Sequence, residues 1–379
     1  MVGPDLTVVL DSLVDESATA APPGACLAIG RTESTHTYAT GYRQVFDDAG
    51  PLARPLPMTA GTAHDLGSVT KLVATTAAVL TLVDRGQLDL ADQVRRYLGG
   101  WPHPDTTVAD LLEHRAGLWE WWPTYLTAGD PAAALELVTR LPLRYPPRSG
   151  RHYSDLGFML LAQVVQVVAG QPLEHAAWEL VFEPLGLNSL RYAGVPAGTP
   201  VAAGAPGDVV ERRMIDTGTP YPVGASTATF HRWRSRVRVG EVDDGNAYHA
   251  FRGVAGHAGL FGTGADLVAF GRCVLGSLRG DGYWRAPTVH RFLTIGADPG
   301  QASGFRRWQV HDGDSDVDAY GHTGFPGIGF AVLPNHGLTV ALLTNRLHVT
   351  AAPPPAPYEA RWLAVLETVA RAARSGRLA

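Results

Sequence analysis

The stretch "HDLGSVTKLVATTAAVLTLVDRG" (64–86) holds two residues suited to nucleophilic catalysis, Ser68 and Lys71. Side chains three apart on a helix share a face, one turn from each other. A serine hydroxyl is a poor nucleophile until a neighbouring base takes its proton. An amine becomes that base when burial or the positive end of a helix dipole draws its pKa down from about 10.4. Arginine stays protonated and cannot serve. Of the 31 lysines and arginines, Lys71 is the one lysine, and it sits in an otherwise uncharged run between Leu66 and Val83. The plain alternative is a lysine that merely pairs with an acid. An apolar helix that offers a serine one turn earlier favours the catalytic reading.

Two further stretches offer partners. In "RHYSDLGF" (151–158), Tyr153 stands just before a helix. A phenol near an ammonium can shuttle a proton between nucleophile and leaving group; a core tyrosine is the alternative. In "GHTGFPGIGF" (321–330), His322, Thr323 and Gly324 are expected on a strand. A small residue there lets a substrate backbone approach, and the next amide can donate to an oxyanion.

Other signals are weaker. "GLWEWWPTY" (117–125) is aromatic-rich, so Trp119 and Trp122 are either core or a wall for an acyl group. In "HRWRSRVRVGEV" (231–242), Arg232, Arg234, Arg236 and Arg238 share one face if the segment is extended. That reads as a solvated face, with a carboxylate or phosphate site as the sharper option. "HDGDSDVDAY" (311–320) reads as a solvated turn rather than a calcium loop, because no glutamate closes it. The 14 histidines show no metal-ligand spacing, so neither metal nor other cofactor is expected.

Taken in order, Ser-x-x-Lys, Tyr-Ser-x and His-Thr-Gly resemble the serine β-lactamase and penicillin-binding-protein superfamily. The branch it looks most like holds esterases, D-aminopeptidases and transacylases similar to class C β-lactamases. "LLEHRAGL" (111–118), "VFEPLGL" (181–187), "GVAGHAGLFGTGADLVAF" (253–270) and "LLTNRLH" (342–348) support the resemblance over roughly residues 20–350. It implies an α+β fold: an antiparallel sheet flanked by helices, a mainly helical domain, and the site between them. Residues 1–84 with 255–379 would form the first part and 85–254 the second. It implies Ser68 as the acylated nucleophile and Lys71 with Tyr153 as the proton-handling pair. His322, Thr323, Gly324 and Phe325 would meet the substrate, with the amides of Ser68 and Phe325 as the oxyanion hole.

Two departures stand out. Asp155 occupies the place where the family usually has asparagine, and His322 the place where many β-lactamases have lysine. An ionised Asp155 either pairs with Lys71, leaving Tyr153 as the main base, or meets a donor group on the substrate. Both departures argue against efficient β-lactam hydrolysis. The reading is therefore an acyl-enzyme-forming hydrolase for an ester or amide of a small molecule. A transacylase passing the acyl group to an amine or alcohol in natural-product assembly is the alternative. A D-amino-acid carboxypeptidase or β-lactamase, or a non-catalytic binding protein, stands further off.

The elements that must position these residues follow from pattern. Residues 4–19 are expected as an amphipathic helix, 25–30 and 35–43 as strands, and 68–84 as a helix apolar nearly all round and so buried. "SDLGFMLLAQVVQVVAG" predicts a helix ending at Gly170, and Thr263 with Asp266 a capping pair. Residues 194–226 read as Gly/Pro/Ala-rich loop. A strand pair around "NHG" and a helix over 358–374 complete the chain, with early and late strands meeting in one sheet.

Composition bounds the rest. The 379 residues are 45% hydrophobic and 18% charged, an ordinary globular balance. A net charge of −5 gives no basic field for nucleic acid. No apolar run reaches the roughly 18 residues that span a bilayer, so no membrane partner is expected. The N-terminus carries acids where a signal peptide is apolar, which points to a cytoplasmic protein and away from an extracellular peptidoglycan substrate. Cys26 and Cys273 read as buried free thiols.

Overall fold

The strand Gly24–Gly30, GACLAIG, is buried along its whole length. Alternate side chains leave a strand on opposite faces, and here each face meets its own layer. Ala25, Leu27 and Ile29 pack with Leu6 and Leu10 of the helix Pro4–Asp11 and with Trp362 and Leu366 of the helix Tyr358–Arg374. Cys26 and Ala28 pack toward Leu267 and Val268 of the helix Gly264–Arg279. These observations come from a computed structural model that describes residues 4–17, 21–192, 194–350 and 358–378.

Seven antiparallel strands form the main sheet, in the spatial order 50–57, 35–47, 24–30, 338–344, 328–333, 316–324 and 306–311. Early and late segments of the chain therefore share one sheet, as expected, with Cys26 opposite Leu343. Helices cover both faces, and a second helical layer built from residues 69–182 closes one side. The α+β, β-lactamase-like architecture expected from the sequence is present.

The central helix starts as a π-helical stretch, Lys71–Thr76, and continues as Ala77–Asp84. Every side chain from Lys71 to Val83 is buried, as an all-round apolar helix requires. Its threonines find acceptors inside: Thr75 donates to the Gly256 carbonyl at 2.7 Å and Thr81 to the Ala77 carbonyl at 2.9 Å. The helix Asp155–Ala169 is capped by Ser154, whose oxygen accepts from Gly157, and it ends at Gly170 in the left-handed region. Thr263 and Asp266 form the expected reciprocal cap.

Several boundaries differ. The first helix stops at Asp11 rather than 19, because Asp15 takes the Ser17 N–H in a local turn; residues 18 and 19 lie outside the described ones. The strand expected over 35–43 runs to Asp47. The 194–226 loop contains a strand, Ala203–Pro206, and a helix, Val209–Thr217. The solvated arginine face of 231–242 is only half there: Arg232 and Arg236 are exposed, but only Val237–Val239 is strand, and Arg234 and Arg238 are buried against Asp208. Opposite charge and a short pairing with Ala203–Pro206 order that segment. The 311–320 segment is a hairpin turn flanked by the strands Arg306–His311 and Asp316–Gly324. Both cysteines are free thiols, Cys26 buried and Cys273 half-buried. Among the described residues, no single helix is long and apolar enough to cross a membrane.

Candidate active site

Ser68 lies in a tight turn just before the central helix. Val69, Thr70 and Lys71 donate in succession to the carbonyls of Leu66, Gly67 and Ser68, each three residues back. Such i→i+3 winding places side chains three apart one above the other. Lys71 Nζ accordingly reaches Ser68 Oγ at 2.7 Å. Gly67 holds the turn at φ +49°, and a Cβ there would stand 2.4 Å from Pro326 Cδ. Across the gap, a Cβ on Gly324 would stand 2.4 Å from the Leu66 carbonyl oxygen. The nucleophile turn and the end of the 316–324 strand thus touch without side chains between them, which brings the Ser68 and Phe325 amides to the same place.

Lys71 is fully buried and has three partners: Ser68 Oγ, Asp155 Oδ1 at 2.7 Å and the His257 carbonyl at 3.2 Å. Burial pulls its pKa down, but the Asp155 charge and Tyr153 outweigh burial and hold it above the ordinary lysine value. The depressed amine expected from the sequence is therefore corrected: Lys71 rests as an ammonium surrounded by Ser68 Oγ, the His257 carbonyl, Asp155 and Tyr153. Of the two roles open to Asp155, the structure takes the ion pair.

Tyr153 approaches the same ammonium, with Lys71 Nζ 4.9 Å from its ring centroid. Its placement is set by residues 114–120. His114 accepts the Ser154 N–H at 3.0 Å and packs against Tyr153 at 4.6 Å between ring centroids. The Trp119 carbonyl accepts the Ser154 hydroxyl, and the Glu120 carbonyl accepts the Asp155 N–H. The aromatic loop 117–125 is both core and brace. Trp121 and Tyr125 are buried, while Trp119 and Trp122 sit half-buried, edge to face at 5.0 Å, on the loop that fixes Tyr153 and Asp155.

On the third element, His322 is buried and its Nδ1 lies 2.7 Å from the Thr323 carbonyl, so that nitrogen carries the proton. Burial and the nearby Lys71 and Arg306 push His322 well below the ordinary histidine value, so it is neutral. Burial, with Arg151 and Lys71, does the same to His114. Thr323 Oγ1 accepts from Arg306 at 3.2 Å, and Phe325 is half-exposed at the rim.

Sequence reasoning did not single out Asp65, His114, Arg151, His257 or Arg306. Arg151 is half-buried, donates to Gln301 Oε1 at 2.9 Å, and has no acid partner among the described residues. Burial and then Arg306 lower its pKa, so two guanidiniums share this end of the cleft. Arg151 stands two residues before Tyr153, the one signal that could have marked it. Among the described residues no cluster of His, Cys, Asp or Glu is arranged to hold a metal ion.

Sheet, helical layer and cleft together define a hydrolase fold of the β-lactamase and penicillin-binding-protein type. The chain belongs to the beta-lactamase family, whose model matches residues 10–363. It is 30% identical over 378 residues to an N-acetylmuramyl-L-alanine amidase of Bacillus subtilis strain 168, covering 91% of this chain and 82% of that one. It is 29% identical over 358 residues to a putative D-alanyl-D-alanine carboxypeptidase of Escherichia coli K12, covering 86% and 79%. Among solved structures it superposes on the D-amino acid amidase of Ochrobactrum anthropi SV3, complexed with D-phenylalanine, with a TM-score of 0.68 and 19% identity. That match covers 98% of this chain and 99% of that one.

Proposed function

We propose that this chain is a serine amidase that cleaves an amide bond in a small amino-acid amide or short peptide through an acyl-enzyme on Ser68. The observation that carries the reading is Lys71 Nζ at 2.7 Å from both Ser68 Oγ and Asp155 Oδ1. A buried ammonium donating to a half-exposed serine oxygen stabilises negative charge as it develops on that oxygen.

With Lys71 charged, the proton is moved by Tyr153. As Ser68 Oγ bonds to the substrate carbonyl carbon, Tyr153 takes the serine proton and hands its own to the departing nitrogen. The oxyanion meets the Ser68 and Phe325 amides. Water then enters where the amine left, gives a proton to Tyr153, and Ser68 recovers its own. Asp155 Oδ1 is engaged by Lys71, and the acceptor we propose for the acyl group is water.

The amide preference, over the ester that the same chemistry would accept, is supported by the similar proteins: two amidases and a putative carboxypeptidase. Arg306, which contacts Thr323 and is ion-paired with Glu359, and the neighbouring Arg151 suit a substrate that bears a carboxylate near the scissile bond. The test is a panel of D- and L-amino acid amides, dipeptides and matching esters, with products identified by mass spectrometry and the acyl-enzyme by intact mass. Amide cleavage that disappears in Ser68→Ala is expected. Cleavage of esters alone, or activity that survives in Ser68→Ala, would overturn the proposal. Hydroxylamine or a primary amine in the same assay measures transfer against hydrolysis directly.

A further inference from the structure

Ser68 and Lys71 are joined directly, and they are joined a second time through buried polar groups. The Gly67 N–H, next to Ser68, donates to Asp65 Oδ1 at 2.9 Å. The other oxygen, Asp65 Oδ2, accepts the Asp243 N–H at 2.7 Å. The following residue, Asp244, holds His257 Nε2 at 3.0 Å through Oδ1, which also accepts the Ala247 N–H at 2.7 Å. The His257 carbonyl in turn accepts from Lys71 Nζ, which closes the ring on Ser68. Asp65 is 7% exposed and His257 1%.

A buried carboxylate is costly unless its oxygens are satisfied. Burial and the neighbouring Asp243 push Asp65 up to about 7, yet both of its oxygens accept backbone N–H groups. Those two groups belong to different parts of the chain: the nucleophile turn, and the arm whose carbonyl holds the lysine.

We propose that Asp65 is a positioning residue, the strut that fixes the Ser68 turn to the 243–257 arm, with the Asp244–His257 contact completing the circuit that sets the distance from Ser68 to Lys71. The inference rests on the reading of Ser68 as nucleophile and Lys71 as its cationic partner. Oxyanion donors and nucleophile must hold their places to about 0.5 Å, and a misplacement of about 1 Å costs on the order of 100-fold in rate.

The test is the rate of Ser68 acylation by a fluorophosphonate probe, read by intact mass, together with kcat and KM for a cleaved amide. Asp65→Asn offers one oxygen and one NH2 group to two N–H donors, so one strut must break. We expect acylation and kcat to fall by roughly 10- to 100-fold with KM changed less than about threefold. Asp244→Ala is expected to fall similarly, and Asp244→Asn, which keeps an accepting oxygen, to recover most of that loss. An Asp65→Asn variant that acylates at the wild-type rate overturns the inference and leaves the amidase reading intact. So does an Asp244→Asn variant no faster than Asp244→Ala, a comparison that holds even if Asp65→Asn fails to fold. Wild-type protein with no adduct on Ser68 overturns both.

Discussion

Around Asp208, the side chains of Arg234, Arg238 and His249 converge at 2.7, 3.0 and 3.0 Å on a carboxylate with no exposed surface. Around Lys71 a single cation is shared between a carboxylate, a carbonyl and a half-exposed hydroxyl. In the first cluster charge is matched by charge. Burial works against ionised Asp208, but His249 and Arg234 more than offset it and hold it well below the ordinary carboxylate range. In the second, one of the three N–H bonds is directed at the oxygen proposed to react. A buried ion pair is by itself weak evidence of function or of stability. What separates these two is whether every partner is spoken for within the protein or one of them faces the cleft.

The sharpest way to break that contrast is at Lys71. Lys71→Arg keeps a charge but not the compact ammonium that reaches three acceptors. Acylation of Ser68 is expected to fall by several powers of ten, the scale of a lost catalytic group, measured by burst kinetics. A variant near the wild-type rate would make Lys71 as structural as Arg234. The converse experiment is Asp208→Ala, which leaves buried Arg234 without its carboxylate and Arg238 with Asp243 alone. A loss of about 3–5 kcal/mol in unfolding free energy is expected, by denaturant titration, while kcat of the folded fraction stays within roughly tenfold, a modest change on the catalytic scale. Equal losses in both quantities would erase the distinction.

Acidity separates the two regions less strongly. His114 and His322 at the cleft are buried and neutral, with pKa values well below the ordinary one. Groups of that kind give stability that is present above about pH 6.5 and lost as pH falls below it. Near Asp208, Glu211 is pushed up to about 8, chiefly by burial and then by Asp244. Its contribution is present below the usual carboxylate pKa of about 4.3 and lost as pH rises through about 8. Melting temperature is therefore expected to decline between pH 6.5 and 8.5, and Glu211→Gln to flatten that decline. A wild-type melting temperature that rises over this range would contradict the assignment.

The smallest effect is expected at Asp155. Asp155→Asn removes the charge that keeps Lys71 protonated and restores the residue usual in the family. Partition of the acyl-enzyme between water and a primary amine should change more than acylation itself, which stays within about tenfold. If acylation and the product ratio are both unchanged, the ion pair has no bearing on turnover.

The residues that carry the chemistry were legible in the sequence for local reasons. Ser68 and Lys71 are three apart, so one turn of backbone joins them, and the uniformly apolar run that follows could only be buried. Gly170 and the Thr263–Asp266 pair marked helix ends by chemistry confined to a few positions. Long-range pairing left no such mark. Asp65 meets Asp243, His114 meets Ser154, and Asp208 meets Arg238, each across distances in sequence that no periodicity spans. Arg234 and Arg238 look like surface charge until their carboxylate is found. The protonation of Lys71 was out of reach for the same reason: its sign depends on which way Asp155 turns.

The pairing of the strand Gly24–Gly30 with Leu338–Thr344 bears on how the chain comes off the ribosome. The nucleophile turn is made early, the strand that supplies the Phe325 amide late, and the central neighbour of the first strand later still. Until then Gly24–Gly30 has one long edge open, the kind of edge that invites pairing with other chains. The helical layer, whose contacts are closer in sequence, can organise meanwhile, since local contacts form fastest. Chains that stop short of the 338–344 strand should therefore be inert toward acylating probes and prone to aggregate.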